Sequence, residues 1–140
     1  MNYPIAIAFG LICLAVLAHL FGGIRESLTV RPSNNSLKQE SNLSYERIER
    51  NWVQLMCAFQ LVSIDLVAVA VVLYLLAFTS YLHPAPQIAV GMAVFFAGWG
   101  SVWLVQLLSL KRAKKDYVLL GQWVLWFICS GLLIWGARIL

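Results

Sequence analysis

Three long stretches of this chain carry almost no charge. No Asp, Glu, Lys or Arg occurs from Met1 to Ile24 or from Tyr117 to Ala137, and from Asn51 to Leu110 the only one is Asp65. A helix needs about 20 apolar residues to cross a hydrocarbon core of about 30 Å. The first and last stretches therefore each supply one crossing, expected near 4–23 and 118–139. The middle stretch is too long for one. Within it, Thr79-Ser80-Tyr81-Leu82-His83-Pro84-Ala85-Pro86 provides a break, because proline ends a helix and biases the residue before it toward extended backbone. The middle stretch divides accordingly into crossings near 52–78 and 87–110.

The expected fold is an all-α integral membrane protein, a single transmembrane domain over residues 1–140 with four helices in a compact bundle. In lipid a helix satisfies its own backbone polar groups. Composition agrees, with 61% apolar and 11% charged residues. A water-soluble domain of that make-up could not cover its surface, and disordered chains are polar and poor in aromatics.

Lys and Arg set the expected orientation. The segment 24–51 carries Arg25, Arg31, Lys38, Arg47 and Arg50, and the short loop 111–117 carries Lys111, Arg112, Lys114 and Lys115. The N-terminus and the loop over 79–87 carry none, and the C-terminus only Arg138. With four crossings the two basic loops share one side, which the positive-inside rule makes cytoplasmic, with both termini outside. The small size and clean charge bias point to a bacterial inner membrane. Val16-Leu17-Ala18 resembles a weak signal-peptide cleavage site, but no basic residue precedes it, so the first crossing is expected to be retained. Asn34-Asn35-Ser36 and Asn42-Leu43-Ser44 match the glycosylation acceptor pattern yet fall in the segment assigned to the cytoplasm.

That segment should begin with a turn over Pro32-Ser33-Asn34-Asn35-Ser36. A helix capped by Ser44 should then start in water and run into the second crossing as far as Thr79. Glu46 and Arg50 would be i, i+4 neighbours on it.

Polar residues within apolar stretches are costly there, which makes them the candidate sites. Asp65 falls near the expected bilayer midplane, where an ionised carboxylate costs about 2.5–3.5 kcal/mol on insertion scales. Gln54, Ala58, Leu61 and Asp65 share one helical face, expected to point inward. Asp65 then serves either as a proton or cation site or as a hydrogen-bonded pin between helices. His19, Gly22, Gly23 and Glu26 are spaced to share a face if the first helix continues. They could line a proton path, the glycines admitting a neighbouring helix. Alternatively Gly22-Gly23 ends the helix, His19 snorkels and Glu26 pairs with Arg25 or Arg47.

Gln54, Gln106 and Gln122 fall at similar depth and suit interhelical hydrogen bonds. Ala93, Ala97 and Ser101 recur every fourth residue as an expected helix interface. Trp52, Trp123, Trp126 and Trp135 suit aromatic belts, whereas Trp99 and Trp103 lie deeper and suit core filling. Cys13, Cys57 and Cys129 form no CxxC pair, which argues against thiol redox chemistry.

No HExxH, GxSxG, P-loop or dinucleotide motif occurs, so enzymatic chemistry, a metal centre and a cofactor are not expected. The positive charge serves orientation and contact with the lipid bilayer, and no nucleic acid is needed to explain it. The expected function is an accessory or scaffold subunit that packs helices against another membrane protein. The alternative is a homo-oligomeric proton- or cation-coupled transporter or channel using Asp65 and His19.

Overall fold

The computed structural model of the chain describes residues 1–32 and 42–140. Most of the turn expected over 32–36, the acceptor pattern at Asn34, and Lys38 lie outside the described residues. Those described are all helix and connecting turn, with no strand. Helix α1 (Tyr3–Leu17) passes through a π-helical segment (Ala18–Gly23) into α2 (Ile24–Thr29), and α3 spans Asn42–Phe78. They are followed by α4 (Ala85–Ser109), the short α5 (Lys114–Leu119) and α6 (Gln122–Ala137).

Three of these stretches, Tyr3–Thr29, Glu46–Phe78 and Ala85–Ser109, are long and apolar enough to cross a membrane. α6 is as apolar but has 16 residues, about 24 Å at 1.5 Å per residue. The expected limits of the third crossing match α4 to within two residues. The first and last differ from expectation. Gly22-Gly23 does not end the first helix, which runs on to Thr29. The helix expected from Val118 begins instead at Gln122, because the chain breaks its helix at Leu120-Gly121. Two indoles serve carbonyls beside that break: Trp103 Nε1 donates to the Leu120 carbonyl at 3.0 Å and Trp123 Nε1 to that of Tyr117 at 3.1 Å.

The described chain separates into two compact units, residues 1–12 with 70–140, and residues 13–69. In the first, α4 and α6 pack antiparallel. α4 buries Ala89, Ala93, Phe96, Gly100 and Leu107, and α6 buries Trp126, Cys129, Ser130, Leu133 and Gly136. The Ser130 hydroxyl donates to the Ala93 carbonyl at 2.8 Å, so a small residue on one helix admits a polar contact from the other. Phe96 stacks on Trp126 with centroids 5.8 Å apart, and Trp99 meets the same indole edge-on at 5.1 Å.

This seam departs from the expected one. Of Ala93, Ala97 and Ser101, only Ala93 is fully buried and Ser101 is exposed. A strict spacing of four advances about 40° round the helix at each step and leaves the contact line. Alternating steps of four and three, as in Ala89, Ala93, Phe96 and Gly100, stay on it. Trp126 likewise fills the core, not a belt.

At the other end of the unit, Asn2 ties three segments together. Its side-chain oxygen accepts from the Ile5 N–H at 3.2 Å, capping α1. Its Nδ2 donates to the Gly136 carbonyl at 2.8 Å, and its backbone N–H to the Ala77 carbonyl at 2.9 Å. Gly136 is needed for this approach: a Cβ there would overlap Ile5 and lie 2.8 Å from Asn2 Oδ1.

α4 ends in a Schellman turn. The Arg112 N–H bonds to the Leu107 carbonyl and the Lys111 N–H to that of Leu108, with Lys111 left-handed at φ 48°. Arg112 then pairs with the buried Asp116 at 2.8 Å.

Two outcomes follow for unfolding measured by circular dichroism in detergent. Asn2→Ala and Gly136→Ala should each cost about 1–3 kcal/mol, whereas Gly131→Ala on the same helix, with open space around it, should cost nothing. Lys111→Gly should raise stability by about 1 kcal/mol, since glycine adopts the left-handed turn without the penalty lysine bears.

Candidate functional site

The second unit brings the end of the first helix against the N-terminal half of α3, and Phe59 is the centre of that contact. The His19 imidazole stacks on the Phe59 ring with centroids 3.8 Å apart and planes 15° from parallel. His19 Nε2 lies 3.2 Å from the Phe59 carbonyl. A carbonyl can only accept, so Nε2 is the donor in this contact. The Ser63 hydroxyl donates to the same carbonyl at 3.2 Å.

The π-helical segment decides which of its residues reach α3. Its wider turn, with i→i+5 bonding, keeps Gly23 on the face of His19 and leaves Gly22 outside. A Cβ on Gly23 would stand 2.6 Å from the Phe59 ring, whereas one on Gly22 would meet nothing. Glu26 is also exposed. The four residues expected on one face therefore split, with His19 and Gly23 inward and Gly22 and Glu26 outward. Glu26 makes no ion pair with Arg25 or Arg47, and Arg112–Asp116 is the one ion pair among the described residues. Further along, Trp52 Nε1 donates to the Ser27 carbonyl at 3.3 Å, and the Arg31 guanidinium lies over the Trp52 ring at 5.3 Å.

Asp65 stands apart from this cluster. It is 13 residues from Trp52 and 13 from Phe78, about 20 Å from each at 1.5 Å per residue. Gln54, Ala58, Leu61 and Asp65 are all exposed, while Ser63, Leu66 and Val69 are buried. The stripe expected to face inward faces outward. The polar residue turned inward is Ser63, which sits two positions from Asp65, about 200° round the helix. Asp65 makes no hydrogen bond or ion pair among the described residues. Gln106 and Gln122 are exposed as well, as is Gln60, which sequence reasoning passed over.

No three His, Cys, Asp or Glu side chains gather as a metal site among the described residues. The cysteines are free, with Cys57 exposed and Cys129 buried. An open recess of about 610 Å³ in the first unit is lined by Met1, Asn2, residues 76–81, Ile139 and Leu140. Among its lining residues is Asn2, which no sequence signal beyond the capping preference of Asn before Tyr3-Pro4 would have picked out.

No known family model matches the sequence, and no curated protein or solved structure resembles it. The arrangement completes a helix-to-helix contact at Phe59 and leaves the Asp65 face of α3 exposed.

The glycine pair gives a direct check of the π-helical geometry. In detergent unfolding, Gly22→Ala should be neutral or stabilising by about 0.5–1 kcal/mol. Gly23→Ala should destabilise by about 1–3 kcal/mol through displacement of Phe59 and its stacked His19.

Proposed function

We propose that the chain is an accessory or scaffold subunit of a bacterial inner membrane that acts by docking laterally against another membrane protein. It crosses four times with both termini outside and the basic loops 24–51 and 111–117 in the cytoplasm. The nine-to-one division of Lys and Arg supports that orientation. The junction of Asn2 with Ala77 and Gly136 supports the even number of crossings, since it gathers the start of α1 and the ends of α3 and α6 at one end of the first unit. Val118, Leu119, Leu120 and Gly121, just before α6, extend its apolar length toward a full crossing.

The observation that carries the reading is the outward exposure of Asp65 at the centre of an apolar helix. Lipid tails satisfy exposed Leu and Val but not a carboxyl group, and charges within membranes pair with one another or with backbone. A neighbour that covers this face removes the cost.

Native mass spectrometry of the tagged protein, extracted in mild detergent from its own host, checks the reading. The expected result is a stoichiometric foreign polypeptide bound to the 15.7 kDa chain. Integer multiples of that mass with no second polypeptide would overturn it and favour an oligomeric proton or cation transporter.

A further inference from the structure

The exposed face of α3 repeats the spacing of the seam already seen on α4. Gln54, Ala58, Leu61, Asp65 and Ala68 follow one another at alternating steps of four and three. All are exposed. On α4 the same alternation carries Ala89, Ala93, Phe96 and Gly100 and is filled by α6. Such a spacing holds a line of side chains against a second helix at a small crossing angle. The α3 line has its small residues, Ala58 and Ala68, on either side of Asp65, where they let a partner backbone come close to the carboxylate.

The charge of the line selects the partner. All ten Lys and Arg of this chain stand outside its apolar stretches. A second copy, packed in parallel, could bring to the depth of Asp65 only another carboxyl, and two carboxyls in one site cannot both ionise. Gln54, the other polar member of the line, is a further three turns toward the cytoplasmic end. A cation at matching depth meets the need directly.

We propose that the stripe from Gln54 to Ala68 receives a membrane-spanning helix of a different protein, bearing a Lys or Arg at mid-depth that pairs with Asp65. This rests on the accessory reading above and names the chemistry of the contact.

The test uses the full-length chain, labelled with a donor fluorophore, in vesicles of neutral phosphatidylcholine. Acceptor-labelled peptides of about 20 leucines carry Lys, Leu or Glu at the centre. Energy transfer should show the Lys peptide binding about tenfold more tightly than the all-Leu peptide, the ratio that roughly 1.4 kcal/mol supplies. Asp65→Leu should abolish that preference and Asp65→Asn should weaken it. Asp65→Lys should transfer it to the Glu peptide, a gain that misfolding cannot mimic. Equal binding of Lys and Leu peptides by the unmodified chain would overturn the proposal. So would self-association of the chain that Asp65→Leu removes, which would assign the stripe to a second copy. Native mass spectrometry separates the two levels. A foreign subunit that stays bound to the Asp65→Leu chain overturns the cation pairing and leaves the accessory reading intact. Absence of any foreign subunit from the unmodified chain overturns the accessory reading itself.

Discussion

A hydrocarbon surround leaves the main chain as the nearest polar partner for any side chain that enters it, and the described polar contacts follow from that. Asn2, His19, Trp52, Ser63, Trp103, Trp123 and Ser130 each direct a donor to a backbone carbonyl. Arg112–Asp116 is the only described ion pair or hydrogen bond between two side chains, and it lies in the loop after α4. A carbonyl in a helix keeps a second lone pair after its i→i+4 bond, so it can accept again without unwinding. The Phe59 carbonyl does so for both His19 and Ser63. Side chains of this kind fix helix register without charge, and they work where a soluble protein would rely on apolar burial.

The long apolar runs were legible because charge exclusion acts on whole segments and needs no knowledge of neighbours. The proline pair set the end of α3 and the start of α4 for the same reason, since ring geometry is local. The break at Leu120-Gly121 was not legible. A lone Gly in an apolar run is tolerated in many helices, and what separates α5 from α6 here includes indole donors from Trp103 and Trp123. The role of Asn2 was equally hidden, because it depends on Ala77 and Gly136, which are far away in sequence.

The candidate residues divide on the same principle. Asp65 could be singled out by type and depth alone, but its direction could not. Four residues on one face of a helix indicate a stripe, and only packing tells whether that stripe is covered. In α3 the covered face holds Ser63, Leu66 and Val69, a set with fewer polar members, so the chain places its less costly side within its own fold. His19 and Gly23 both pack on Phe59, which looks from sequence like any other apolar residue.

The π-helical segment at Ala18–Gly23 has a consequence for how this region tolerates change. A π turn is an α-helix holding one residue more than its pitch requires, and one residue corresponds to about 100° of rotation. Losing a single residue between Ala18 and Gly23 would let the helix regularise and gain backbone bonding, while turning Ser27 and its neighbours away from Trp52. Substitutions there act on one contact at a time; an insertion or deletion acts on all of them together. Variation in this stretch should therefore be held more strictly in residue number than in residue type, with Gly23 the position where Phe59 also restricts type.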